Sequence, residues 1–216
     1  MYWRNAHGLY INQIIRYLDF HIIYLLFAAI PGTLLFCEDW DNRFVRVSVV
    51  RCSKQKYAVS KVLACFLSAV SVVFFAESLL LLLFCVQFPL FDTINNTSLS
   101  IAEPVTSILL ILLIEILSEG FCAGFLCVVA LWVSTKIINA FVTLATPLLA
   151  YYLISTTSFA IKIPSEFNIA YLSKAYISIN DNLSFSFLFT VLIFFLATSV
   201  FSIYFIKNCT RRIENG

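Results

Sequence analysis

Residues 105–133 read VTSILLILLIEILSEGFCAGFLCVVALWV, an apolar run in which Glu115 and Glu119 are the only charged side chains. As a helix this run covers about 44 Å at 1.5 Å per residue, more than the roughly 30 Å of hydrocarbon in a bilayer. It reads as a transmembrane helix that tilts strongly or breaks, with Ser118-Glu119-Gly120 as the break. Working outward, four further runs are long enough to cross a membrane: 18–36, 62–88, 137–155 and 183–206. The run 18–36 contains Ile30-Pro31-Gly32 and the run 137–155 contains Pro147, and each proline removes a backbone donor and predicts a kink. The fold class is therefore all-α: a polytopic membrane protein of about five transmembrane helices, forming a single transmembrane domain over residues 1–216.

The composition supports that reading. Apolar residues make up 61% of the chain and charged residues 12%, about half the charged share of a soluble domain. With 22 Phe and only 5 Gly, the apolar mass is bulky, as lipid-facing helices tolerate and the polar lumen side of a β-barrel does not. A net charge of +2 is too small to imply nucleic acid as a partner, and none is expected. The 7 cysteines include no CxxC pair and read as reduced, small hydrophobes, without a metal. No GxxxxGK[ST], HExxH or GxSxG occurs, so the chain carries no catalytic motif and binds no cofactor of its own. The first seventeen residues lack the apolar core of a signal peptide. Instead Leu9, Ile11, Ile14, Ile15 and Leu18 recur at helical spacing, predicting a short interfacial helix.

Orientation follows from the lysines and arginines. If five helices alternate, Arg43, Arg46, Arg51, Lys54, Lys56, Lys61, Lys136, Lys207, Arg211 and Arg212 share one side, against Arg4, Arg16, Lys162 and Lys174 on the other. The basic side is predicted to be cytoplasmic, with the C-terminus on it and the N-terminus outside. Residues 89–104 and 156–182 become extracellular loops. An outside N-terminus without a leader implies either a short tail that translocates unaided or a further helix ahead of Met1 in a longer form.

Three features stand out as candidate functional elements. Residues 38–61 begin with acids and end with bases, and Phe44, Val47 and Arg51 fall on one helical face, with Val45, Ser48 and Cys52 on another. This is an amphipathic segment lying along the membrane, either a loop that fixes topology or a lever for a cytoplasmic partner. Glu77, Glu115 and Glu119 lie inside apolar runs, where a charge costs roughly 3 kcal/mol on insertion scales. Glu115 and Glu119, four apart, share a face. The three form a polar site for a cation or proton, or a structural hydrogen-bond network between helices or subunits. Gly120 and Gly124 form a small-xxx-small pair that lets another helix approach closely.

The order of these features resembles the permease subunits of type-2 ABC exporters, whose ATPase subunits are separate chains. The likeness rests on Glu38-Asp39-Trp40-Asp41 leaving a helix and on the basic run from Arg51 through Ser53 and Tyr57 to Ser60-Lys61 entering the next. The tight turn around Ser134-Thr135-Lys136 and the proline-bearing helix with Thr146-Pro147 are similar too. The resemblance implies a bacterial plasma-membrane exporter driven by a nucleotide-binding ATPase subunit that carries ATP-Mg, with a second permease subunit completing the pathway. It further implies that Glu38, Asp39 and Asp41 make charge contacts with the ATPase and that Trp40 and Phe44 act as apolar anchors. Arg43, Arg46 and Arg51 are divided between ATPase and acidic lipid. Such permeases usually have six membrane helices, and the one lacking here is the first. The competing expectations are a secondary transporter or proton pathway through Glu77, Glu115 and Glu119, and a non-transporting immunity or sensor subunit.

Overall fold

The computed structural model describes residues 18–87, 105–162, 164, 167–173 and 183–215. In chain order these form α1 (Leu18–Asp41), α2 (Phe44–Arg51), α3 (Lys54–Gln87), α4 (Val105–Ser134), α5 (Ala140–Ala160), α6 (Ile169–Leu172) and α7 (Leu183–Asn215). Among the described residues there is no strand, and α1, α3, α4, α5 and α7 are each long and apolar enough to cross a membrane. The chain is thus an all-helical, multi-pass membrane protein. The expected N-terminal interfacial helix and the loop 89–104 lie outside the described residues.

Hydrocarbon offers no hydrogen-bond partners, so polar atoms inside a span must be satisfied within the protein. The hydroxyls do this locally. Thr33 donates to the Ala29 carbonyl at 2.5 Å and Ser118 to that of Ile114 at 2.5 Å. On α5, Thr157 and Ser158 return to Leu153 and Ile154, each at 2.6 Å.

That back-bonding explains two departures from expectation. The polar run from Ser155 to Ser158 reads as the end of a span, yet α5 continues to Ala160 because those hydroxyls are absorbed by the helix itself. The break expected at Ser118-Glu119-Gly120 does not occur either: Ser118 is held one turn back and α4 runs through it. α1 likewise continues through Pro31. At the other boundaries, α1, α3 and α7 extend beyond the predicted limits to Asp41, back to Lys54 and on to Asn215. Hydropathy marks where a chain meets hydrocarbon, whereas backbone hydrogen bonding carries the helix further. α5 starts at Ala140 because the Asn139 side chain accepts from the Phe141 N–H at 2.9 Å, a capping contact.

The bundle is built around α4. Its span is 78% buried, against 17% for each of α3, α5 and α7 and 39% for α1. A helix that is apolar on all sides belongs in the interior, and the small side chains of α4 make that possible. A Cβ added at Gly124 would lie 2.7 Å from the Phe66 ring of α3, and one at Gly120 would sit 3.4 Å from Val70. The expected role of these glycines in close helix packing thus has a defined partner in α3. A second close approach joins α1 to α3, where a Cβ on Gly32 would meet the Ser68 hydroxyl at 2.7 Å and the Cys65 backbone at 2.9 Å.

These distances rank the glycines. At Gly32 the obstacle includes backbone, which does not step aside, so Gly32→Ala is expected to destabilise the bundle by about 1–3 kcal/mol, the usual cost of overpacking. Gly120→Ala meets only ordinary contact and should be close to neutral. Thermal unfolding in detergent distinguishes them, and equal midpoints for the two variants would refute the ranking.

Candidate functional site

Alternation of the spans brings the C-terminal ends of α1, α4 and α7 and the N-terminal ends of α3 and α5 to one end of the bundle. The ten basic residues that the sequence assigns to one side lie toward it. The linker between α1 and α3 is correspondingly short. Arg43, in the left-handed region at φ 56°, ends α1 and turns the chain into α2. Cys52, extended at φ −127° and ψ 152°, ends α2, and the Ser53 hydroxyl accepts the Lys56 N–H at 3.4 Å ahead of α3. The segment 38–61 is thus the last turn of α1, the eight-residue α2 and the first two turns of α3.

Asp39 is the hub of this end. Its carboxylate accepts the Tyr57 hydroxyl at 2.6 Å and pairs with the Lys61 ammonium at 2.7 Å. The two charged side chains are only 14% and 18% exposed, which reduces the competition from water that weakens surface pairs. The next residue, Trp40, lies beneath Arg212, whose guanidinium is 5.0 Å from the ring centroid. Arg212 also donates to the carbonyl of Thr135, just past the end of α4, where a cation is favoured by the helix dipole. One turn back, buried Phe36 meets Phe205 of α7 edge-on at 5.5 Å. Asp39 and Trp40 together therefore tie α1 to α3, α7 and the end of α4. The Lys54–Glu214 pair at 3.2 Å is more exposed and contributes little.

The eight residues expected to couple to a partner are accordingly divided. Asp39 and Trp40 are turned into the bundle. Glu38, Asp41, Arg43, Phe44 and Arg51 are exposed, and the Arg46 side chain lies outside the described residues. On α2, Val45 is buried, while Phe44, Val47 and Val50 are 55%, 51% and 89% exposed. The outward surface is thus a short apolar stripe bordered by acids and arginines. Tyr57, Lys61, Thr135 and Arg212, which sequence reasoning did not single out as a set, form the other half of the arrangement.

The second candidate is the group of intramembrane acids. Glu77, Glu115 and Glu119 are all buried. The antiparallel register set by Gly124 on Phe66 and Gly120 on Val70 brings Glu77 within about one helical turn of the level of Glu115. Tyr24 of α1 is within electrostatic reach of both Glu77 and Glu119, and Tyr151 of α5 is within reach of Glu119. The Tyr151 hydroxyl also lies beside Ser173, which follows the four-residue α6. Four spanning helices thus contribute to one polar layer, with Ser173 at its edge. Among the described residues no group of three His, Cys, Asp or Glu side chains is arranged to hold a metal ion.

No protein-family model, curated protein or solved structure matches the chain.

Since Lys61 and Tyr57 both depend on Asp39, Asp39→Ala should cost about 2–3 kcal/mol by leaving a largely buried cation without its partner. Adding Lys61→Met to that variant should cost less than the sum of the two single changes. A double-mutant cycle on unfolding in detergent measures this directly, and strict additivity would show that the pair carries no coupling.

Proposed function

We propose that this chain is the membrane-spanning permease subunit of an ATP-driven exporter and that a separate ATPase chain seats on α2. The observation that carries the reading is the exposed Phe44, Val47 and Val50 stripe, bordered by Glu38, Asp41, Arg43 and Arg51, on a helix fixed at both ends to spanning helices. Apolar anchors inside a polar rim are the usual anatomy of a docking surface. Asp39, Tyr57 and Lys61 hold α1 to α3, so a displacement of α2 is transmitted to two spans as one body. In this reading ATP-Mg is bound and hydrolysed on the partner, and this chain contributes movement and a pathway. A second permease copy faces it in the plasma membrane, and the basic end lies in the cytoplasm.

The test is affinity purification of the chain from its own membranes in mild detergent, asking whether an ATPase chain copurifies. Val47→Asp and Phe44→Ser should weaken association at least tenfold, and Glu38→Gln with Asp41→Asn should lower ATPase stimulation, while expression stays unchanged. Association unaffected by Val47→Asp would remove α2 from the interface.

The polar layer supports a second reading, in which Glu77, Glu115 and Glu119 conduct protons. Glu119→Gln in proteoliposomes distinguishes the two: loss of proton flux without any ATPase favours the pathway, and its absence from the wild type dismisses it.

A further inference from the structure

Among the described residues, two lipid-facing grooves run along α3. One, of about 410 Å³, lies between α1 and α3 and is lined by residues such as Phe27, Ala76 and Leu80. The other, of about 460 Å³, lies between α3 and α7, lined on one wall by Val59, Leu63 and Leu67 and on the other by Phe195, Ser199 and Ile203. Two of the three hydroxyls in the second groove, whose third is Thr198, are turned onto their own helix: Ser199 donates to the Phe195 carbonyl at 2.8 Å and Ser202 to that of Thr198 at 2.6 Å. Its lining spans residues 59–67 on α3 and 195–206 on α7, about 12 Å and 16 Å of helix. That is the depth of one leaflet of a hydrocarbon core of roughly 30 Å, on the side of the basic end.

Its mouth carries charge. Lys56 precedes Val59 by three positions and Lys207 follows Ile203 by four, so both stand on the lining stripes, one turn beyond the apolar wall. Both are exposed. Neither takes part in the Asp39 or Glu214 pairs, which use Lys61 and Lys54. The groove between α1 and α3 has no lysine or arginine among the described residues a turn beyond its lining at the opposite end. One leaflet-deep apolar slot therefore ends in two cations, and the other does not.

We propose that the groove between α3 and α7 holds one acyl chain of an anionic phospholipid, with the headgroup phosphate between Lys56 and Lys207. The apolar walls take the chain by contact, and the two ammonium groups select a negative headgroup over a zwitterionic one. The assignment depends on membrane insertion and is independent of whether an ATPase seats on α2.

The experiment is lipid retention by the purified full chain, measured by native mass spectrometry after exchange into mixed phosphatidylglycerol and phosphatidylcholine. The wild type should retain phosphatidylglycerol with roughly thirtyfold preference, as two lysines at about 1 kcal/mol each provide at a membrane surface. K56Q/K207Q should lose that preference yet still retain a lipid, while K136Q, at an exposed lysine away from the groove, should keep it. Ser199→Trp, which fills the slot, should reduce retention of both lipids. Equal retention by the wild type, an undiminished preference in K56Q/K207Q, or an equal loss in K136Q would overturn the proposal, the last by showing diffuse attraction to the basic end.

Discussion

The bare face of α4 at Gly124 lets α3 lie against it, and the positions of the other helices follow from that contact. Lipid tails are as apolar as leucine, so no hydrophobic force drives one span onto another, and close packing has to supply the attraction. The Phe66 ring fills the space that a Cβ on Gly124 would need. With α3 seated there, Gly32 brings α1 onto the Cys65 and Ser68 face of α3, and α5 and α7 cover other sides of α4. The same placement explains the acids. A helix enclosed by its neighbours carries Glu115 and Glu119 into the interior, where Glu77 of α3 meets them away from lipid, as the cost of a carboxylate in hydrocarbon demands.

The basic end faces a different constraint. An isolated helix of eight residues is not stable in water, so α2 holds its shape through its ends and through buried Val45. One end is set by the left-handed turn at Arg43 and the other by the extended residue Cys52. Asp39 closes the loop from outside, because its contacts with Tyr57 and Lys61 fix the distance between the helices that α2 joins. One of the three acids expected to meet a partner is thus used within the chain instead.

The spans themselves were legible, because length and hydropathy are properties of a run, and so was the gathering of ten basic residues at one end. Helix ends were less so. Tyr57 and Lys61 stand in what reads as a linker, and only the continuation of α3 back to Lys54 places them on a helix beside α1. The inward turn of Asp39 needs the geometry at both Arg43 and Cys52, which no pattern encodes. Gly32 was visible but was assigned to a kink with Pro31. Ala28 and Gly32 are also a small-xxx-small pair, the same signal that marked Gly120 and Gly124. That α4 is central was not legible, since its neighbours are nearly as apolar; its excess of glycine, alanine and cysteine between residues 120 and 130 was the clue.

The first turns of α3 carry two loads on opposite faces. Tyr57 and Lys61 face α1, whereas Lys56, Val59 and Leu63 face the groove with α7. A partner acting on α2 and a lipid lying along α3 would therefore act on the same rigid body. If α3 has two positions, a lipid that fits one of them better shifts the balance for the partner, and the partner shifts the lipid's affinity by the same factor. A lipid that fits both equally shifts nothing, however tightly it binds. The walls of the groove belong to two helices joined at the basic end by the exposed Lys54–Glu214 pair, a weak tie. If α3 moves relative to α7, the width of the slot changes with it, and a bound chain meets both walls along its length.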